Sequence, residues 1–327
     1  RDCRRIALNH GNRILLDSIF EQDTVAVIEG DAPTAIAFTE QPFDHLLFTG
    51  STSVGRYVMA AAAKNLTPVT LELGGKSPAI ISQDVPMEMA CERLCFGKSL
   101  NAGQTCVAPD YILLPKNREQ EFIETYHKVF SKMYPSLKNN DDYSAIINPA
   151  QHERLSLWLQ DAKDKGALCH EINPAKEDLS SGRKMAPVLV QNISSDMRLS
   201  EDEIFGPILP MITYDSLDQA FDYVRQRPRP LALYYFGLNK HEQALVLDQS
   251  HAGGVCINDT LVHLAQEDMP FGGIGDSGMG QYHGHEGFLT FSKAKAVHIK
   301  GRFNSAKFAY APYKSPIHKL IYRLFIR

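Results

Sequence analysis

The chain has 327 residues, 44% of them apolar and 22% charged, with a formal net charge of −4. Those proportions exclude a collagen-like or disordered chain, and the near-neutral balance supplies no basic field for nucleic acid. No stretch approaches the roughly 18 apolar residues of a membrane span, so a soluble protein of about two domains is expected.

Taken in chain order, Thr24 to Ile28 (TVAVI) reads as a strand because it is β-branched and apolar. Asp31-Ala32-Pro33 follows as an N-cap with proline in the first turn of a helix, and His45 to Phe48 as a second, buried strand. After Gly50 another helix runs through Val54 to Lys64 with an alanine-rich interior, and Val69 to Leu73 forms a third strand. This alternation predicts parallel pairing with right-handed crossovers, the plan of half a nucleotide-binding sheet. Beyond Gly74-Gly75 a mixed α/β region extends to about residue 290, with a helix from about Pro86 to Leu100. Phe122, Ile123, Tyr126, Val129, Phe130 and Met133 recur at helical spacing, so Glu119 to Tyr134 is an amphipathic helix with these residues facing the core. Asn173 to Pro187 is a polar surface excursion. Near the C-terminus Ile317, Leu320, Ile321, Leu324 and Phe325 share one helical face, with Lys319, Arg323 and Arg327 repeating every four residues. That short basic amphipathic helix is expected to pack on the body or a partner subunit, with a membrane surface as the alternative.

The six cysteines are too dilute and irregular for a disulfide framework and point to a reducing, cytoplasmic compartment. Cys91 and Cys95 share a helical face as small core residues, and without C-x-x-C or H-E-x-x-H no metal site is expected. Arg1 stands where an initiator Met would, so an N-terminally truncated chain is expected.

Three glycine patterns mislead. Gly50-Ser-Thr-Ser-Val-Gly55-Arg56 is one residue short of a Walker loop, and Arg56 and Tyr57 replace its Lys and Ser/Thr, which argues against an NTPase. A glycine turn after a buried strand still offers helix N–H groups and a positive dipole end to an anion. Gly273-Ile-Gly275-Asp-Ser-Gly278 fits G-x-G-x-x-G but follows Pro270-Phe271-Gly272 rather than a strand. Gly275-Asp276-Ser277-Gly278 is similar to the nucleophile segment of trypsin-like proteases, whose disulfide-rich all-β plan does not match. A flexible glycine loop is expected there.

Two further segments offer chemistry. Leu71-Glu72-Leu73-Gly74-Gly75-Lys76-Ser77-Pro78 ends a strand with a carboxylate ahead of glycines that admit close backbone approach. Asn101-Ala102-Gly103-Gln104-Thr105-Cys106 delivers a cysteine on a small-residue loop. A thiolate can attack a carbonyl and a carboxylate can activate water, although an inert buried Cys106 is equally compatible with the residues alone.

Together these segments resemble the aldehyde dehydrogenase superfamily. Phe48-Thr49-Gly50-Ser51-Thr52-Ser53-Val54-Gly55, the Glu72 and Cys106 segments, Glu203-Ile204-Phe205-Gly206-Pro207 and Pro270-Phe271-Gly272-Gly273 occur in the family's order and approximate spacing. Cys106-Val-Ala-Pro-Asp-Tyr111 and Gly278-Met-Gly-Gln-Tyr-His-Gly284 are similar to the class 3 branch, and the Arg302 to Tyr313 tail to bacterial coniferyl aldehyde dehydrogenases.

The resemblance implies an α/β, aldehyde dehydrogenase-like fold. Its parts would be the C-terminal part of a Rossmann-type dinucleotide-binding domain (1–75), an α/β catalytic domain (76–290), and an oligomerisation strand with a basic tail (291–327). It makes Cys106 the nucleophile that forms a thiohemiacetal and then, after hydride loss to NAD or NADP, a thioester hydrolysed by water that Glu72 activates. Thr49, Gly50, Ser51, Gly55 and Leu73 would line the cofactor, Glu203 hold the nicotinamide ribose, and Phe205 pack at the nicotinamide end. The implied substrate is an aromatic aldehyde such as coniferyl aldehyde, or a medium-chain one. Ala294 to Ile299 would be the strand that pairs across a homodimer. The family's aromatic-Asn-Phe-Pro and Lys-Pro-Ser/Thr-Glu segments are not found, and Trp158 is the sole tryptophan. A non-catalytic binding or assembly fragment and a cofactor-independent thiol esterase are therefore the rival readings.

Overall fold

In the computed structural model residues 13–313 and 315–325 are described; Arg1, Cys3 and Arg327 lie outside them. The chain forms two units that meet in sequence at Phe291 and Ser292.

The first unit holds two sheets. Helix α1 (Ala32–Thr39), with proline in its first turn, precedes strand β1 (Leu46–Gly50), helix α2 (Thr52–Ala63) and strand β2 (Val69–Leu73). β1 and β2 pair in parallel, and a two-residue strand, Gly278–Met279, pairs antiparallel with the other side of β2. Leu71 and Leu73 turn toward α2 and form a small cluster with Leu46 and Val58.

The second sheet has seven strands. In spatial order they are β5 (Leu168–Glu171), β6 (Val188–Gln191), β7 (Ile208–Tyr214), β4 (Tyr111–Pro115), β3 (Pro78–Ile81), β8 (Ala232–Phe236) and β9 (Gly254–Ile257). Only β5 runs antiparallel, and the polar 173–187 excursion joins it to β6. The central strands are unbroken apolar runs because both faces are covered. Ile112, Leu114, Tyr234 and Phe236 face one layer, which contains helices α3 (Met87–Ser99), α4 (Glu119–Met133) and α5 (Pro149–Asp164). Tyr111, Leu113, Leu233 and Tyr235 face the other, with helices α6 (Leu217–Arg225) and α7 (Lys240–Gln249). The alternation is the two-residue period of a pleated strand. Cys91 and Cys95 are fully buried on α3, and α4 buries Phe122, Tyr126, Val129 and Phe130 as its periodicity requires.

Two local expectations are corrected. Thr24 to Ile28 forms no strand: β propensity yields one only where a neighbour offers ladder hydrogen bonds, and the segment has no strand partner among the described residues. Ala294 to Ile299, whose expected pairing is with a second subunit, forms no ladder among the described residues, and all six residues are exposed. The 272–278 loop is closely packed rather than flexible. A Cβ on Gly278 (φ +134°) would lie 1.9 Å from the Leu71 carbonyl oxygen, and the buried Ser277 hydroxyl bonds both backbone groups of Ile274. Glycine is needed there for backbone approach to β2.

The second unit contains a helix, Pro316–Phe325, whose Leu320, Leu324 and Phe325 are exposed. Among the described residues no helix is long and apolar enough to cross a membrane.

Candidate active site

The chain leaves β2 at Leu73 and enters β3 at Pro78, so only Gly74 to Ser77 separates the two sheets. The C-terminal ends of β1 and β2 therefore lie beside the N-terminal ends of the large parallel strands. The Cys106 loop leads into β4, the Glu203 segment leads into β7, and Pro230, which leads into β8, lies beside Gly75.

Glu72 stands opposite Thr49 of β1 and Gly278 on its other side. Since Leu71 and Leu73 face α2, strand alternation turns Glu72 to the opposite face. Its carboxylate is buried, and neither oxygen has a hydrogen-bond partner among the described residues. Burial alone pushes this carboxyl up to about 8.

Cys106 comes at the end of a strained turn. After α3 ends, Asn101, Ala102 and Gly103 take φ of 51°, 53° and 73°, a left-handed run that L-residues rarely adopt. Gln104 holds the turn: its Oε1 accepts from Ile147 N–H at 2.8 Å and its Nε2 donates to the carbonyls of Asn101 and Ala145. The Tyr234 hydroxyl donates to the Val107 carbonyl at 2.5 Å, fixing the residue after the thiol. A Cβ on Gly103 would sit 2.5 Å from the Gly206 carbonyl oxygen, so this loop touches the Glu203–Gly206 segment through bare backbone. Gly103→Ala is expected to destabilise the protein by about 2–4 kcal/mol, from the φ penalty plus overpacking, read as a lower urea midpoint.

Burial raises the Cys106 thiol to about 11, and Glu203 and Glu72 push it the same way, against the Cys106 and Val107 N–H groups. Both carboxyls are thus close enough to the thiol to disfavour its ionised form. Burial, with a contribution from Asp110, brings Glu203 up to about 7, while Gly75 N–H, Lys76 and Lys98 oppose the shift. Glu203 lies over Gly74, where a Cβ would be 1.9 Å from Oε2. Gly74→Ala is therefore expected to displace this carboxylate and destabilise the protein by about 1–3 kcal/mol, read as a lower urea midpoint.

The residues expected to line a cofactor gather at one sheet end. Thr49 and Gly50 close β1; Ser51 caps α2, its hydroxyl accepting from Val54 N–H at 3.4 Å; and no acidic side chain occupies the first helical turn. At Gly55 a Cβ would meet Leu73 Cδ2 at 2.6 Å, so glycine lets α2 lie directly on β2. An open helix N-terminus beside a strand end fits the pyrophosphate of a dinucleotide. Arg56, the residue that spoils the Walker pattern, instead pairs with Asp276 of the glycine loop at 3.0 Å. Phe205 is partly exposed and holds φ of 49°.

Sequence reasoning missed the charged frame beneath these groups. Lys76 Nζ donates to Asp110 Oδ2 at 2.5 Å and to the carbonyls of Leu199 and Asp202, while Asp110 Oδ1 accepts from Ile204 N–H at 2.9 Å. The pair joins the Glu72, Cys106 and Glu203 segments. Lys98 is buried beside it, and burial lowers its ammonium to about 8. Lys76 and Asp110 stood inside the quoted motifs, but nothing in their spacing pairs them.

The aldehyde dehydrogenase family model matches residues 12–297. A probable coniferyl aldehyde dehydrogenase of Pseudomonas aeruginosa is 58% identical over 313 residues, which are 96% of this chain and 65% of that protein. The dimeric, NADP-preferring aldehyde dehydrogenase of Rattus norvegicus is 38% identical over 309 residues, 93% of this chain and 66% of that one. The substrate-bound state of Staphylococcus aureus AldH superposes with a TM-score of 0.88 at 39% identity, covering 97% of this chain and 68% of that one. The chain thus spans 65% of the length of the first of these relatives. A family match that runs through the Glu72, Cys106 and Glu203 segments, on a backbone that superposes over nearly its whole length, leads to one conclusion: the chain belongs to the aldehyde dehydrogenase family.

Proposed function

We propose that the full-length protein oxidises an aldehyde to a carboxylic acid with NAD or NADP, and that Cys106 carries the acyl group. The observation that supports this most directly is geometric: the Cys106 loop touches the Glu203–Gly206 segment, and Glu203 lies over Gly74, two residues after the buried Glu72.

In this reading Cys106 Sγ bonds to the aldehyde carbon as the carbonyl π pair moves to oxygen, and the thiol proton ends on that oxygen, giving a thiohemiacetal. When bound, NAD(P)+ supplies the hydride acceptor that turns this adduct into a thioester. Glu72, whose buried oxygens have no partner among the described residues, takes a proton from water as it attacks the thioester, releasing the acid and restoring the thiol. Thr49, Gly50, Ser51, Gly55 and Leu73 line the cofactor, with Gly50, Ser51 and Gly55 at its pyrophosphate; Glu203 holds the nicotinamide ribose and Phe205 packs at the nicotinamide end. The name of the Pseudomonas aeruginosa relative supports an aromatic aldehyde such as coniferyl aldehyde, and that of the rat relative supports NADP use and a dimer. In such a homodimer Ala294 to Ile299 would find the ladder partner it lacks among the described residues.

The test is to mix the purified full-length protein with coniferyl aldehyde and either nucleotide and follow NAD(P)H absorbance. NAD(P)H and coniferic acid in equal amounts are expected. Ester hydrolysis independent of nucleotide with no NAD(P)H would favour a thiol esterase, and no turnover of either kind would favour a binding role.

A further inference from the structure

Arg154 is absent from every motif quoted above, yet it reaches the Glu203–Gly206 segment. It lies on α5, and its Nη2 donates to the Ile204 carbonyl at 2.7 Å. Two neighbours on the same helical face orient it: Nε donates to Gln151 Oε1 at 2.7 Å, and the guanidinium lies over the Trp158 ring at 4.4 Å. A planar cation fixed by a hydrogen bond on one side and a ring on another is pre-organised to hold one acceptor. The helix itself abuts the segment, since a Cβ on Gly206 would come 2.5 Å from Leu155 Cδ1.

The two polar backbone groups of Ile204 are thus held from opposite elements. Asp110 accepts the N–H of the peptide that joins Glu203 to Ile204, and Arg154 donates to the carbonyl of the peptide that joins Ile204 to Phe205. Fixing the second peptide plane sets the rotation about the N–Cα bond of Phe205. That rotation is the strained one, with φ at 49°. A non-glycine residue persists there only where its surroundings over-determine it.

We infer that Arg154 is a positioning residue for cofactor binding: by holding the Ile204 carbonyl it keeps Phe205 in its left-handed conformation and Glu203 over Gly74. The inference rests on the proposal that Glu203 and Phe205 receive the nicotinamide end. Without the guanidinium the Ile204 carbonyl loses its partner, and Phe205 relaxes toward negative φ, carrying its ring out of place.

Arg154→Met in the full-length protein is expected to raise the KM for NAD(P)+ about tenfold while the aldehyde KM stays within about twofold. Arg154→Lys, which keeps one donor, should recover most of the loss. Gln151→Ala, which frees the guanidinium without touching Ile204, should shift the same constant about threefold and serves if the Met variant does not fold. An unchanged nucleotide KM in Gln151→Ala and in whichever Arg154 variants fold overturns the inference, as does an equal change in both KM values with no rescue by Lys. Failure of the wild-type protein to reduce NAD(P)+ would instead overturn the proposed function, so the two failures are distinguishable.

Discussion

Cys106→Ser is expected to abolish aldehyde-dependent NAD(P)H formation, with kcat falling by at least about 10⁴-fold. The thiol is already a demanding nucleophile here, since burial and two neighbouring carboxyls raise it to about 11. A serine hydroxyl in the same place ionises far less readily, and the carboxyls that oppose a thiolate oppose an alkoxide equally. The Ser51 turn and Glu203 are untouched by the change, so nucleotide affinity should survive, as titration calorimetry would read. Undiminished turnover in this variant rules out the proposed mechanism, and loss of nucleotide binding along with activity would point to a collapsed site.

Glu72→Gln should separate the two halves of the reaction. The thioester still forms, so a burst of one NAD(P)H per active site is expected, followed by steady-state turnover reduced by about 10²–10⁴-fold. In the wild type, hydrolysis should rise with pH through about 8, where the buried Glu72 carboxyl ionises. A wild-type profile flat from pH 6 to 9, or a mutant without a burst, would remove Glu72 from this role.

The same shift has a consequence for stability. Between the ordinary carboxylate range near 4 and the folded value near 8, the folded protein keeps a proton on Glu72 that the unfolded chain has lost. The unfolded state binds fewer protons there, so this residue's contribution to stability falls as pH rises across that window. Glutamine removes the penalty. The variant should melt about 2–4 °C higher than wild type at pH 8, a gain on the order of 1 kcal/mol, and no higher at pH 5. A gain at pH 5 equal to that at pH 8 would show that ionisation is not its source.

Much of the architecture was legible because local pattern and tertiary role agree. Helix α4 declares its buried face through Phe122, Tyr126 and Phe130, and α2 and β2 follow from an alanine-rich run and a β-branched one. The failures occur where structure depends on a distant partner. Thr24 to Ile28 has strand composition and no ladder among the described residues, and Gly278 reads as flexibility but permits backbone contact with β2. Trp158 drew notice only for lying outside an expected motif, while its ring supports the Arg154 guanidinium.

The order of the Thr49, Glu72, Cys106, Glu203 and Phe271 segments belongs to the sequence itself and was enough to suggest both the family and its chemistry. Composition and periodicity carry that far because they act over neighbouring residues. The tertiary structure alone decided that Glu72 faces away from α2, that its oxygens lack partners among the described residues, and that Lys76, Asp110 and Arg154 hold the backbone around Ile204. Lys76 and Asp110 are 34 residues apart, and Arg154 and Ile204 are 50 apart. Charge pairing and desolvation depend on distance in space, and residue spacing does not encode that distance until the two sheets are joined at Gly74 to Ser77.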